Sequence, residues 1–526
     1  VLQHSTVEQV KRFSASTGGL VALALVLGLF SMALNFGLPG LQMDEVNHSA
    51  FTPGIVSSVA ADKPHYRLPD NIILNKMGVK RFPTLGGSTY NTTIVPYVAA
   101  PLYVLMGFTV ASVRLFHALL GILAVTLFGI YLRRATSRRA AVLFVAAASL
   151  SVVLQVAARS QANYFLLALA AYSVVLVVTT DAHGDIAVDS RRGALAGGLF
   201  MGIAWMAYFI AAIAFLPTAV YLAVRFARSS RRQCIRFCVA AFVGVAPWIY
   251  GMISALIQRP SLRWNFGLPT YAESRLPPAS IANIERTMLL WRQSLVEFAL
   301  PRSIYGQFLA PSNLVANLIF VGLGAVCVYS IVRQVRERSY VTLALVSLPL
   351  CMVLGACFAF QALNVHHMTV AYMLALAQLS VALRFPARYR LAQAGLIVGV
   401  FALLLVTFTA GNLKLRETGG VGNHAREYSE IEVNVRNACD DCLPVFVSWG
   451  THLQYLFLTA GKKDFVFLTD DAKISGVLKR HKKILVIGDI AKVREIAAYL
   501  HGLSWRYVSS THVHASYEVT EFQLVG

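Results

Sequence analysis

The sequence predicts a polytopic α-helical membrane protein that ends in a small water-soluble α/β domain. Two observations carry the membrane part. The residues are 57% hydrophobic and only 13% charged, with a mean hydropathy of +0.61, and the apolar ones gather into runs mostly of about 16 to 22 residues, enough to cross a hydrocarbon core of ~30 Å. The third observation is a change near residue 412, where long runs give way to short apolar stretches alternating with charged ones, the pattern of a soluble α/β unit. The chain of 526 residues carries a net charge of +21. In a soluble protein that excess suggests nucleic acid, but in a membrane protein it belongs to cytoplasmic loops and lipid headgroups.

Taken in order, the runs fall at about 20–38, 111–132, 139–157, 162–180, 193–224, 237–257, 314–331, 341–360, 368–383 and 391–410. The first reads as a span and not as a cleaved signal, because its core is long and no small-x-small site precedes LPGLQMDE. Basic clusters separate the runs: Lys11 and Arg12, then 133–139, Arg191 with Arg192, 225–236, 333–338 and 384–390. If these face the cytoplasm, the N-terminus is inside and the run 193–224 crosses twice, since Arg192 and Arg225 share a side. Two helices meeting near Tyr208 are therefore expected. The count comes to about eleven transmembrane helices, with the C-terminus outside a cell inner (plasma) membrane.

This topology leaves three large external segments, about 39–110, 258–312 and 412–526. Within the first, IVPYVAAPLYVLMGFTV (94–110) is apolar and aromatic but holds two prolines and a glycine, which suits a helix lying along the interface. Read as a span, it would reverse everything after it.

External segments should be poor in arginine and lysine, yet Lys80 and Arg81 stand in the first, and Arg259, Arg263, Arg275 and Arg292 in the second. A guanidinium kept outside against the sorting rule suits phosphate oxygens, and as a set these residues favour an anionic substrate. Arg159, in the short external turn AARSQAN, is the sharpest case, because a charge at a span end needs a partner.

In the last segment VFVSWG, DFVFLTD and KKILVIGD read as strands, IAKVREIAAYLHGL as a helix and YEVTEFQLV as a closing strand, a small Rossmann-like sheet. VIGDIAK lacks the GxGxxG fingerprint and no Walker lysine motif appears, which argues against nucleotide binding. Cys439 and Cys442 form a disulfide if this face is oxidising, or stay as thiols; no second CxxC completes a zinc site.

The acidic pair Asp44 and Glu45 follows the first run directly. Asp44 could cap a short helix. Glu45 and His48, spaced i, i+3, could hold a divalent cation on one helical face. Alternatively a carboxylate acts as general base on a hydroxyl nucleophile. His366 and His367, in the outer turn QALNVHHM, could bind phosphate or metal, although paired histidines in a turn are commonly just interfacial.

The DE pair after the first run, followed by KRFPTLGGSTYNTTIVPYVAAPLYVLMGFTVASVRLFHALLGILAVTLFGIYLRR, resembles the bacterial protein O-mannosyltransferase-like glycosyltransferases (glycosyltransferase family 39 and relatives), including the aminoarabinose transferases of lipid A. Asp44, Glu45, Tyr97, Pro101, Gly107 and Arg114 match the family's order, and the resemblance covers about residues 18–225. It departs at Asn163, where the family often has an acid shortly after the arginine that Arg159 matches.

The resemblance implies a GT-C fold of residues 1–411 and a soluble extracytoplasmic domain of 412–526. It implies sugar transfer from a polyprenyl phosphate in the bilayer to a hydroxyl on a glycan, lipid or protein, with inversion and Asp44 as base. Glu45 stands beside it in the catalytic motif. The phosphate would meet Arg159, Arg259, Arg263, Arg275, Arg292, Lys80 and Arg81, and His48, Tyr90, Tyr97, His366 and His367 would line the substrate. No metal is expected beyond the Glu45 and His48 alternative, and no other cofactor or nucleic acid is implied. Two rivals stand beside this reading: a polymerase or ligase moving a whole lipid-linked glycan, and a transporter, which would want ionisable groups inside the spans.

Overall fold

The computed structural model of the chain describes residues 16–42, 45–46, 74–77, 80–83, 94–160, 163–208, 211–258, 280–347, 353, 357, 364–383, 390–448, 450–468, 481–503, 505–513 and 517–524. The chain divides into two compact units, one of residues 1–36 with 117–414 and the other of 37–116 with 415–526. The segment after the first apolar helix thus clusters with the C-terminal residues.

The first unit is helical. Helix α1 (Thr17–Ala33) opens on Ser16, whose hydroxyl accepts the Gly19 N–H. The β1–β2 hairpin (Leu74–Met77 with Lys80–Pro83) and helix α2 (Ile94–Met106) belong to the other unit. Helix α3 (Val110–Ala135) is followed by α4 (Arg138–Ser149) and α5 (Val152–Ala157), so the run 139–157 is broken, with Ser151 capping α5. Then come α6 (Asn163–Thr179), α7 (Arg191–Ala207), α8 (Ala211–Ser229) and α9 (Arg231–Gln258). The run 193–224 is two helices, and α7 ends at Tyr208 in extended backbone, as the charge pattern requires.

Helices α7 and α9 approach backbone to backbone. A Cβ on Gly198 would lie 2.2 Å from the Phe237 carbonyl oxygen, and one on Gly244 2.3 Å from that of Leu199. Only glycine allows that approach, the close packing that holds helices together in lipid. The unit continues with α10 (Ile281–Leu295), α11 (Ala299–Tyr305), α12 (Asn313–Arg336), α13 (Thr369–Ala382) and α14 (Arg390–Thr418).

Five helical stretches among the described residues are long and apolar enough to cross a membrane: Val110–Ala135, Arg231–Ile253, Asn313–Arg336, Val365–Ala382 and Arg390–Thr418. Helix α2 is only 13 residues long, with Pro101 inside it. At 1.5 Å per residue it reaches about 20 Å, short of the ~30 Å core, in keeping with an interfacial position.

The second unit holds a five-stranded sheet in the order β4-β3-β5-β7-β6, with β3 (Leu443–Phe446), β4 (Val466–Phe467), β5 (Lys483–Gly488), β6 (Trp505–Val513) and β7 (Tyr517–Leu524). β4, β3 and β5 pair in parallel, whereas β5 with β7 and β7 with β6 pair antiparallel. The sheet is therefore mixed, unlike the parallel sheet of a Rossmann unit. It also contains a nine-residue edge strand, WRYVSSTHV, that the sequence reading missed.

Alternation along β5 explains the layers. Leu485 and Ile487 face one core with Ile431 and Val435 of helix α15 (Ile431–Ala438) and Leu453 and Leu456 of helix α16 (Thr451–Leu458). Ile484 and Val486 face the other, against Val493, Ile496 and Leu500 of helix α17 (Ile490–His501). Cys439 and Cys442 are joined in a disulfide between α15 and β3.

Candidate active site

The described acid of the pair, Glu45, is wholly buried, and the second unit is built around it. Gln42 and Glu45 form a reciprocal turn: the Glu45 N–H donates to Gln42 Oε1 at 3.2 Å and the Gln42 N–H reaches Glu45 Oε2 at 3.5 Å. This is the capping-box arrangement, with glutamine in the cap position.

Arg114 approaches from the first turns of α3. That helix starts on another reciprocal pair, with Thr109 and Ser112 exchanging two N–H to hydroxyl bonds at 3.1 Å each. Gly107, at φ 79°, supplies the left-handed turn that separates α2 from α3. The Arg114 guanidinium meets Glu45 with both arms, Nε to Oε1 at 3.1 Å and Nη2 to Oε2 at 3.2 Å, and Nη2 also donates to the Pro39 carbonyl at 3.0 Å. Both side chains are shut off from solvent. Burial pushes the Glu45 carboxyl up to about 7, against the downward pull of the Arg114 charge and the Gln42 N–H.

The same segment is tied to the C-terminal residues of its unit. The Gly40 N–H donates to the His424 carbonyl at 2.7 Å. The Leu41 N–H donates to Ser429 Oγ at 2.8 Å, and Gln454 Nε2 to the Leu41 carbonyl at 2.7 Å. A Cβ on Gly40 would sit 1.7 Å from the Ala425 carbonyl oxygen, so only glycine fits there.

The other expected site residues divide into three groups. Asp44, His48, Tyr90, Arg259, Arg263 and Arg275 lie outside the described residues, and Lys80 and Arg81 are described only as backbone of β2. Tyr97 is half-buried on α2.

The remainder lie in the first unit. Arg159 is buried, and its Nη2 donates to the Ser31 and Met32 carbonyls at 3.0 and 2.7 Å and to that of Leu34, closing the end of α1. Gln155 supports it, donating to the Ser31 carbonyl at 2.6 Å and accepting from Asn412 Nδ2 at 3.0 Å. Arg292 pairs with Glu297 at 2.6 Å and with Asn317 at 2.7 Å. His367 accepts the Asn364 N–H at 2.7 Å and packs on His366 and Tyr208, with ring centroids 4.1 and 6.2 Å away.

Of the expected residues, then, only Glu45 is described in the buried cluster. The sequence reading placed Arg114 in the family pattern without giving it a role at the site, and it missed Gln42, Ser429 and Gln454. The signal for Arg114 was its place at the start of an apolar run, where a charge needs a partner. Gln42 could have been found from its spacing, three residues before Glu45, but nothing local marks Ser429 and Gln454, whose partner is the backbone of Leu41 far away in the chain.

Cys439, Asp441 and Cys442 place their ligand atoms within 4.8 Å of one another, but the disulfide occupies both sulfurs, so the cluster offers no thiolate to a metal.

The chain as a whole has the GT-C fold. Among solved structures the chain is similar to ArnT from Cupriavidus metallidurans in the apo state, with a TM-score of 0.60 at 16% identity over 95% of this chain and 97% of that one. Two further likenesses are weaker. The Archaeoglobus fulgidus oligosaccharyltransferase in its apo form gives a TM-score of 0.48 at 13% identity, over 91% and 71% of the two chains. AglB from the same organism, in complex with an inhibitory peptide and a dolichol-phosphate, gives 0.46 at 12%, over 95% and 74%. No protein-family model matches the chain, and no curated protein does.

Proposed function

We propose that this protein is an integral-membrane glycosyltransferase that moves a sugar from a polyprenyl-phosphate donor to an acceptor hydroxyl at the extracytoplasmic face. The observation that carries the reading is the buried Glu45–Arg114 pair, which fastens the acidic motif to the start of a long apolar helix on a GT-C fold. Both Glu45 oxygens are committed to Arg114, so the role of base falls to its neighbour Asp44. Asp44 takes the proton from the acceptor hydroxyl as its oxygen attacks the anomeric carbon. The bond from that carbon to the phosphate oxygen breaks, and the lipid phosphate leaves with the electron pair. One displacement inverts the anomeric centre; a retaining route would need a second carboxylate as nucleophile. External cations would stabilise the charge that develops on the leaving phosphate.

The test is purified protein in vesicles with polyprenyl-phosphate-linked hexoses and pentoses. Asp44→Asn, which keeps shape and removes basicity, is expected to lower turnover by about two to four orders of magnitude while folding normally. A folded Asp44→Asn protein with normal turnover, or a product of retained configuration, would overturn the assignment. Because Glu45 is engaged by Arg114 and not offered to a cation, transfer is expected to persist in chelator. Chelator-sensitive transfer restored by Mn or Mg would instead place Glu45 and His48 in a metal site.

A further inference from the structure

The three bonds from the C-terminal residues to the segment 40–41 exceed what is needed to keep two pieces of one domain together. They fall on consecutive backbone groups: the Gly40 N–H on the His424 carbonyl, the Leu41 N–H on Ser429 Oγ, and the Leu41 carbonyl on Gln454 Nε2. Both polar backbone groups of Leu41 are thus held by side chains more than 380 residues away, at 2.8 and 2.7 Å, and its own side chain is fully buried. A buried backbone group must be satisfied, but water or a neighbouring turn could do it. Here the satisfaction fixes a position three residues before Asp44.

Helix α16 gives the arrangement its direction. Gln454 and Phe457 are spaced i, i+3 and share one helical face. Gln454 holds Leu41. Phe457 lies edge-on to Tyr103 of α2 at 5.3 Å and to Phe108 at 5.5 Å, just before the helix that carries Arg114. Leu453 and Leu456, on an adjoining face, are anchored in the core of the sheet. One short helix, fixed in the C-terminal domain, therefore touches the chain shortly before each member of the Glu45–Arg114 pair: Leu41 before Glu45, and Phe108 before Arg114.

We infer that the C-terminal domain is a working part of the catalytic site, and that Ser429 and Gln454 are positioning residues that set the acidic motif through Leu41. The inference rests on the reading of Asp44 as the base. It assigns the sheet and α16 to turnover, where a separate domain for binding an acceptor would govern KM alone.

The experiment uses the full-length protein with Ser429→Ala, Ser429→Thr, Gln454→Leu and the pair Ser429→Ala/Gln454→Leu. The first readout is amide exchange over residues 39–46, which needs no substrate. Each loss of a bond should raise exchange at Leu41 and its neighbours, with exchange in β3, β5 and β7 unchanged, and Ser429→Thr should restore protection. The second readout is the kinetic split. Gln454→Leu should lower kcat by about ten- to a hundredfold with the donor KM within about twofold, the size of one misplaced buried hydrogen bond. Added to Asp44→Asn, the same substitution should lower turnover by less than about threefold, since it acts through the group already removed.

Raised exchange with unchanged kcat would overturn the inference, as would a rise in KM alone or a further hundredfold loss on the Asp44→Asn background. If Gln454→Leu fails to fold, Ser429→Ala, which removes one hydroxyl, decides on the same readouts. If the wild type transfers no sugar, the proposed function fails, while exchange at Leu41 still decides whether Ser429 and Gln454 hold the segment.

Discussion

At the residue scale, Glu45 and Arg114 show why a charged pair is kept in a buried place. Taking both out of water is costly, and their two-armed contact, with the Pro39 carbonyl taking a further N–H, offsets that cost only while both are present. Arg114→Ala should accordingly destabilise the unit by about 3 to 5 kcal/mol, because it leaves Glu45 buried beside no cation; thermal unfolding in detergent measures it, and a loss under 1 kcal/mol would mean that Glu45 finds water. The carboxyl also makes a signed pH prediction. Its pKa rises from 4.5 to about 7 in the fold, so the folded chain holds the proton more tightly than the unfolded one. That contribution is complete below pH about 4.5 and is lost as pH rises through about 7, amounting to about 3 kcal/mol. The stability of wild type relative to Glu45→Gln should therefore fall by about 3 kcal/mol between those limits and stay level above pH 8. Of these residues the acid pair was legible, because two adjacent carboxylates after an apolar run are rare. Ser429 and Gln454 were not, since a serine and a glutamine that hold a distant backbone leave no local trace.

At the element scale, the helices were legible where lipid dictates their composition, and the break at Tyr208 followed from the arginines flanking the run 193–224. The sheet was harder. Strands β3 and β5 are apolar because both faces are covered, and they were found. β6 lies at an edge, with Ser509 and Ser510 at its centre and Tyr507 about half exposed, so its alternation is weak. Helix α16 carries a prediction of its own. His452 stacks on Phe467 with ring centroids 4.0 Å apart, and burial pulls its pKa from 6.5 down to about 3. Here the sign is opposite to that of Glu45. The folded state keeps the ring neutral, so its contribution is present above pH about 6.5 and is lost as pH falls through about 3. At pH 5 the unit should have lost about 2 kcal/mol relative to pH 8, and His452→Phe, which keeps the ring stack, should remove that acid sensitivity. Unfolding curves of the two proteins at both pH values decide it; equal acid sensitivity would mean that other groups set it.

At the scale of the whole molecule, membrane orientation turns on a single element. The basic clusters lie on one side only if α2 does not cross, and its 13 residues span about 20 Å against a core of ~30 Å. If α2 lies at the interface, the positive-inside rule predicts that the connection between α6 and α7, which holds Asp181 and Asp185 near Arg191 and Arg192, faces the cytoplasm and that the C-terminal sheet faces outward. The disulfide of Cys439 and Cys442 argues in the same direction from chemistry alone, since disulfides persist outside the reducing cytoplasm. Alkaline phosphatase, which needs its own disulfides, should thus be active when fused after Gly526 and inactive when fused within 181–184. Alkylation should agree: a thiol reagent that cannot cross the membrane should label Cys439 and Cys442 in intact cells only after treatment with an impermeant reductant. Activity at the inner fusion with none at Gly526 would mean that α2 crosses, and it would carry the arginine clusters to the outside. The positive-inside rule would then be broken at five successive loops, a larger anomaly than one proline-bearing helix left short of a span.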